Sequence, residues 1–145
     1  MTTEQLAYAA GIIDGEGSIG AYTKDKQGRG GLCLQLSVAN TDIRMLVFLS
    51  ELWGGSVSTL SRKEIRRQLY EWRRVGQDCG NVLEDVLPYL IVKREQAELA
   101  IEFARTVRDV WASKKGVPRG TPYLTDEVIE RRQEIALELK KLKVA

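Results

Sequence analysis

The sequence contains no histidine among its 145 residues. Histidine is the commonest general base near neutral pH, so its absence excludes hydrolases built on a Ser-His-Asp or Cys-His arrangement. Histidine is also a frequent metal ligand, so zinc hydrolases and nucleases with a histidine-bound metal are excluded as well. An enzyme of this composition must use carboxylates, Lys/Arg, hydroxyl groups or a metal held by oxygen ligands.

Cysteine is scarce too, since Cys33 and Cys79 are the only two. They form neither a zinc motif nor a disulfide framework, and they favour a reducing compartment. No apolar run approaches the roughly 20 residues of a membrane span. Residues 1–18 lack the basic start of a signal peptide. We therefore expect an intracellular protein, in the cytoplasm or an organelle matrix, with no membrane partner.

The net charge is only +2, but the charge is unevenly distributed. The segment from Lys24 to Arg74 holds 10 Lys/Arg against 5 Asp/Glu, whereas the rest of the chain holds 12 against 15. Its densest basic stretch is RKEIRRQLYEWRR at 62–74. Such clustering is typical of a nucleic-acid-binding surface, and it is equally compatible with a solvated strand or hairpin face.

Apolar periodicity predicts the order α-β-β-α-β-β-α with further C-terminal helices. The predicted elements are a helix at 3–14, strands at 18–25 and 31–39, a helix at 43–53, strands at 56–61 and 67–75, and helices at 78–87, 93–113 and 126–142. Thr3 is expected to cap the first helix, and Thr41 or Asp42 the second. Two hairpins indicate one four-stranded antiparallel sheet with helices on one face, an α+β fold. We expect a single domain over 1–145, with a core at about 3–113 and a helical extension at about 123–143.

Residues 9–17 read AAGIIDGEG and are followed by Ser18 and Ile19. This stretch resembles the LAGLIDADG motif of homing endonucleases, with Ala9 for the leading Leu and Glu16 for the second Asp. Two further stretches resemble this family, YEWRRVG at 70–76 and LPYLIVKREQA at 87–97. The element order also fits its αββαββα core, and the resemblance covers about 5–105. Without the downstream matches, the motif reads as an ordinary helix ended by a glycine-rich turn.

The motif also has a physical interpretation of its own. Ala7, Gly11 and Gly15 are spaced by four and share one helix face, which lets a second helix backbone approach closely. With a single motif, the partner is the same helix of a second chain on a two-fold axis. The expected interface residues are Ala7, Ala10, Gly11, Asp14 and Gly15. Glu16 then meets its symmetry mate, and two such carboxylates repel unless a cation lies beside them.

The resemblance implies roles for particular residues. Glu16 is the implied ligand of Mg²⁺, for which Mn²⁺ substitutes, and the backbone carbonyl of Gly15 is a further ligand. Lys93 occupies the position of a basic residue near the scissile phosphate, or it is a solvated lysine at a helix start. Asn40 organises active-site water, or it is a turn or cap residue. Asp14 supports the helix interface, and a helix-end hydrogen-bonding role is favoured for it.

The resemblance also implies a DNA-binding sheet. Strand alternation points Ile19, Leu34, Leu36 and Trp72 inward, and a slip of one residue would reverse the fourth strand. Polar residues on the other face of such a ribbon can read bases in the major groove. The candidate DNA-binding residues are Tyr22, Lys24, Lys26, Cys33, Gln35, Ser37, Ser58, Arg62, Arg67, Glu71 and Arg73.

The function implied is a homodimeric, Mg²⁺-dependent, site-specific endonuclease that cuts both strands of DNA. Cleavage would occur across the minor groove of a long pseudo-palindromic target and leave short 3′ overhangs. The alternative on the same fold is a maturase acting on intron RNA, or a DNA-binding regulator that does not cut. A structural dimer without nucleic acid is a more distant alternative. Retention of an acid at Glu16 and of Lys93 favours cutting, and the segregated charge counts against a purely structural role.

Overall fold

The computed structural model describes residues 1–23, 31–60, 67–113 and 124–144. The elements are α1 (Thr3–Glu16), β1 (Gly17–Thr23), β2 (Leu32–Asn40), α2 (Ile43–Trp53), β3 (Val57–Leu60), β4 (Leu69–Val75), α3 (Gly76–Val86), a 3-10 turn (Leu87–Tyr89), α4 (Arg94–Ser113) and α5 (Asp126–Val144). This order confirms the predicted α+β fold and its αββαββα core. Among the described residues, no helix combines the length and apolarity needed to cross a membrane.

The four strands form one antiparallel sheet in the order β1-β2-β4-β3. Its inner face is fully buried at Ile19, Leu34, Leu36, Val38 and Trp72. The alternate residues of β2 are only half-buried, which matches the predicted alternation. Burial of Trp72 also establishes the register of β4, the strand that a slip would have reversed. One face of the sheet therefore belongs to the core, and the other stays open.

Helices cover the inner face of the sheet, and two tryptophans tie them to it. The Trp72 indole N–H donates to the backbone carbonyl of Gly54 at 2.8 Å, just after α2. The Trp53 indole N–H donates to the Asp85 carboxylate on α3 at 2.9 Å. Each indole N–H group thus has the partner that it requires. The first contact holds the end of α2 against the sheet, and the second joins α2 to α3.

The N-cap and the last residue of α1 differ from the sequence prediction. Thr2, and not Thr3, is the N-cap of α1, because its hydroxyl and the side chain of Gln5 form a reciprocal capping box. The helix also continues through Gly15 to Glu16, and Gly17 is its C-cap. A glycine in a last turn weakens a helix without ending it. Glu16 is therefore the last residue of α1, whereas the predicted bounds of 3–14 would place it beyond the helix.

The final helix α5 packs on the rest of the chain. Ile135 and Leu139 are fully buried, one helical turn apart, within an otherwise charged sequence. Arg131 forms an ion pair with Glu102 of α4, and the hydrogen bonds that it donates to that carboxylate raise the pKa of Arg131. The sequence left open whether this helix packs on the core, and the structure shows that it does.

Candidate active site

The exposed face of α1 carries a stripe of small residues that ends at Glu16. Ala7, Gly11, Gly15 and Glu16 are exposed. A Cβ atom built at Gly11 or Gly15 would meet nothing within 4 Å in the chain itself. Ala10 does not lie on this stripe, which corrects its expected place at the interface. Its side chain is fully buried, because position 10 falls on the side of α1 that faces the core.

Asp14 fixes the segment that leads into α4. Its carboxylate accepts backbone N–H bonds from Ile91, Val92 and Lys93 at 2.9, 3.2 and 2.9 Å. These are the N–H groups before the first residue of α4, so Asp14 serves as a cap for a helix distant in sequence. The favoured role of Asp14, hydrogen bonding at a helix end, therefore agrees with the structure, but the helix is α4 and not its own.

Lys93 lies at the C-terminal end of α1. Its Nζ atom donates a hydrogen bond of 2.5 Å to the backbone carbonyl of Asp14. This contact brings the ammonium group to the last turn of α1, which contains Glu16. Lys93 and Glu16, two of the three expected catalytic residues, thus lie at the same end of α1. Arg94, the next residue along the chain, pairs with Glu98 instead.

The oxygen ligands at this end fit a hard divalent ion only in part. Glu16 offers an exposed carboxylate, and Gly15 lies in the last turn, where carbonyls lack helical partners. Within the part of the chain that the structure describes, no three His, Cys, Asp or Glu side chains cluster as a metal site. A magnesium ion needs about six oxygens. An ion held at this end of α1 would therefore need further oxygen ligands besides those that the described residues offer here.

Asn40 ends β2 at the same end of the sheet. Val38 of β2 lies opposite Gly17, so Asn40 is near the junction between α1 and β1. Its side-chain oxygen accepts the backbone N–H of Asp42 at 2.8 Å, which forms an Asx turn. This bond supports the turn interpretation of Asn40. The amide NH₂ group remains as a donor for other contacts.

Arg44 is a basic residue near this edge that the sequence analysis did not single out. Its guanidinium group donates to both carboxylate oxygens of Asp42, at 3.0 and 2.6 Å. The hydrogen bonds from Arg44 lower the pKa of Asp42 to about 2. Asp42 also caps α2. An Asp N-cap followed two residues later by Arg was the available sequence signal.

The outer face of the sheet contains the described DNA-binding candidates. Cys33, Gln35 and Ser37 are half-buried on β2. Glu71 and Arg73 of β4 form an ion pair of 2.7 Å. The exposed members of the set are Tyr22, Ser58, Arg67 and Arg73, with Arg67 two residues before β4 begins. Lys24, Lys26 and Arg62 lie outside the described residues.

Tyr22 is held flat against this face by a residue from the end of the chain. Its ring covers Gly20, where a Cβ atom would collide with the phenol group. The Lys143 ammonium donates to the Tyr22 hydroxyl at 2.7 Å and lies 5.3 Å from the ring centroid. Sequence reasoning missed Lys143, because the only local signal was its place in a charged helix.

The comparisons with known proteins bear on the fold. No protein-family model and no curated protein matches the chain. Among solved structures, it resembles the homing endonuclease I-CvuI in complex with the I-CreI target, with 23% identity and a TM-score of 0.59 over 94% of this chain and 95% of that chain. The archaeal intron-encoded homing endonuclease I-Vdi141I, complexed with DNA, is 16% identical with a TM-score of 0.58 over 98% of both chains.

A third similar structure is the I-SmaMI LAGLIDADG homing endonuclease bound to cleaved DNA. It is 20% identical with a TM-score of 0.64, and the match covers 90% of this chain but 42% of that one. At these identities, the comparisons establish the fold. The chain has the fold of the LAGLIDADG homing endonucleases.

Proposed function

We propose that this protein is a homodimeric, site-specific DNA endonuclease of the LAGLIDADG family. The observation that carries the proposal is the exposed stripe on α1, which ends at Glu16 and lies on the fold described above. I-CvuI and I-Vdi141I, which share this fold, are homing endonucleases in complex with DNA. A long pseudo-palindromic target and short 3′ overhangs belong to the same proposal.

The two glycines of the stripe support a second copy of the chain as the partner. Glycine in a helix interior costs roughly 0.5–1 kcal/mol relative to alanine. Alanine would fit at Gly11 and at Gly15, since a Cβ atom meets nothing there. The chain by itself therefore gains nothing from these glycines, whereas a closely packed second helix requires them.

The surroundings of the stripe are apolar, as a dimer interface requires. Tyr8 of α1 is 57% exposed and packs edge-on against Phe48 of α2. At the other end of α1, Ile91 and Val92 are 85% and 73% exposed. Asp14 holds both in place through their backbone N–H groups. Adjacent exposed aliphatic side chains on an ordered segment mark an interaction surface.

In such a dimer, the two Glu16 carboxylates and nearby Gly15 carbonyls would hold Mg²⁺ or Mn²⁺ together with DNA phosphates. The bound ion supplies an activated water and charge stabilisation for phosphodiester hydrolysis. Lys93 presents its remaining N–H donors beside the same helix end, where they stabilise charge on the phosphate. Asn40 offers its NH₂ donor from the end of β2, and its oxygen anchors the turn.

The outer face of the sheet serves for target binding in this proposal. Gln35 and Arg73 carry amide and guanidinium groups of the kind that read adenine and guanine edges in the major groove. Arg67 adds an exposed charge before β4. Phosphate contacts by such residues would make binding fall steeply with salt. We place the protein in the compartment of the host genome, cytoplasm or organelle matrix.

A Glu16→Gln substitution tests the proposed role of the carboxylate. It removes the charge, keeps the size, and should abolish cleavage of a target selected from a randomised DNA library in Mg²⁺. Binding to that target should remain, because the metal-binding end of α1 is changed and the sheet is not. Glu4→Gln, at the exposed first turn of the same helix, is the matched control and should cut normally.

The opposite results are equally informative. Undiminished cleavage by Glu16→Gln would exclude the metal-ligand role of Glu16. If the wild-type protein binds DNA selectively but never cuts it in Mg²⁺ or Mn²⁺, the endonuclease proposal is wrong and the protein is a DNA-binding regulator.

A further inference from the structure

A cleft of about 310 Å³ opens beside the start of β1, between α4 and α5. Gly17, Ser18, Lys93, Gln96 and Lys143 line it. Its volume far exceeds the roughly 15 Å³ that one water needs. The cleft begins at the residue that follows Glu16, so it adjoins the proposed catalytic end of α1.

Gln96 provides the first sign that this cleft takes a ligand. Its side chain is only 9% exposed, and its Oε1 atom is buried with no hydrogen-bond partner among the described residues. An unpaired buried polar group costs roughly 1–3 kcal/mol, and native proteins normally pair it with a ligand or an ordered water. The amide can present either its oxygen or its NH₂ group by a half-turn of its last torsion.

Two ammonium groups provide the second sign. Lys93 donates to the backbone carbonyl of Asp14, and Lys143 donates to the Tyr22 hydroxyl. Both acceptors are uncharged, and neither lysine pairs with a carboxylate in the described part of the chain. Each ammonium retains two further N–H donors. Two like charges on one cleft favour an anion between them.

The cleft is continuous with the outer face of the sheet. Ser18 lies opposite Ser37 of β2, and Ser37 lies opposite Arg73 of β4. These three side chains form a row that leads from the cleft across the polar face. A nucleic-acid strand lying on that face would pass its backbone over the mouth of the cleft.

We propose that this cleft binds a backbone phosphate of DNA close to the cleaved bond. Lys93, Lys143 and the Ser18 hydroxyl donate to the phosphate, and Gln96 completes the site directly or through one ordered water. The inference rests on the proposed function. It makes the end of α5 part of the DNA-binding surface, beyond the sheet residues identified from the sequence.

The salt dependence of binding to a mixed-sequence DNA duplex, without divalent metal, tests the site. Lys143→Met and Lys141→Met form a matched pair, because both lysines are exposed in the last turn of α5 and only Lys143 lines the cleft. The logarithm of the association constant falls linearly with the logarithm of the salt concentration. Loss of one phosphate contact should make this slope shallower by about 1. Between about 50 and about 200 mM salt, the wild type should therefore lose about threefold more affinity than Lys143→Met. Lys141→Met should keep the wild-type slope.

Gln96→Leu separates a ligand-binding role from a structural one. Leucine removes the unpaired amide but keeps most of the volume, so the melting temperature should stay the same or rise. Affinity for the same duplex should fall severalfold. A lower melting temperature with unchanged affinity would assign Gln96 to the fold and not to the cleft.

The outcomes distinguish this inference from the proposed function. If the wild type binds the duplex and both cleft variants behave like Lys141→Met, the phosphate site is wrong and the proposed function stands. If the wild type binds no duplex, the proposed function fails and the phosphate site with it. If inorganic phosphate binds the wild type but not Lys143→Met, with equal DNA affinities, the cleft takes a free anion instead of DNA.

Discussion

At the scale of single residues, the two acids of the motif have different surroundings. Asp14 is occupied by three backbone N–H groups, whereas Glu16, two residues later, is exposed. A carboxylate that accepts several N–H bonds is a structural group, and a free one is available to a metal. Within one helical turn, the structure thus separates an acid that positions the start of α4 from an exposed acid, as the proposed function requires.

Asp14→Ala should destabilise the fold because it removes the cap that α4 receives from α1. We expect a loss of about 1–2 kcal/mol in unfolding free energy. For a chain of this size, that corresponds to a melting temperature lower by about 4 °C. Glu98→Ala is the control, since Glu98 is exposed on α4 and its ion pair with the exposed Arg94 lies on the surface. Its effect should stay within about 0.5 kcal/mol, and equal losses would contradict the capping role.

The reactivity of the two cysteine thiols tests whether DNA covers the outer face of the sheet. Cys33 is half-buried on the outer side of β2, whereas Cys79 is fully buried in α3. Burial raises the pKa of the Cys79 thiol to about 12, so it should stay unreactive toward iodoacetamide until the chain unfolds. Cys33 should react in the native protein, and duplex DNA should slow that reaction severalfold. Equal rates with and without DNA would place the bound duplex elsewhere.

At the scale of elements, α3 and α4 approach so closely that one contact has no room for a methyl group. A Cβ atom at Gly80 would overlap the Cβ atom of Ala104. Gly80→Ala should therefore cost about 1–3 kcal/mol, although alanine favours helices. The double variant Gly80→Ala/Ala104→Gly should recover part of this loss in urea unfolding. Additive losses would show that the two positions are not coupled.

Sequence patterns within a few residues predicted the helices and strands, but they did not predict contacts between residues far apart in the chain. The alternation in β2 and the turn after α2 are signals within a few residues, so both were readable from the sequence. The bonds from the Ile91 backbone N–H to Asp14 and from Lys143 to Tyr22 join residues far apart in the chain. Such pairs leave no periodic signature, because each partner looks like an ordinary surface residue in its own segment. The cleft beside β1 could not be foreseen for the same reason.

At the scale of the whole molecule, the two most exposed large apolar side chains among the described residues, Ile91 and Val92, lie beside α1, while the polar sheet face lies open elsewhere. Tyr8, Ile91 and Val92 border the stripe of Gly11 and Gly15. Pairing two chains through this region would bury the apolar surface and bring both Glu16 residues together. The same pairing would extend two polar sheet faces along one duplex, as a pseudo-palindromic target requires.

Gly11→Leu should separate association from folding. Its side chain would point into open space in a single chain, so the helix content and fold should survive. Between two helix backbones in contact there is no room for it, so sedimentation should show a dimer for the wild type and a monomer for the variant. Gln133→Leu adds the same side chain to an exposed position of α5 and should remain dimeric. If Gly11→Leu is still a dimer, the interface does not lie on α1. If the wild type stays monomeric with DNA, Glu16 lacks the second carboxylate that the proposed metal site needs.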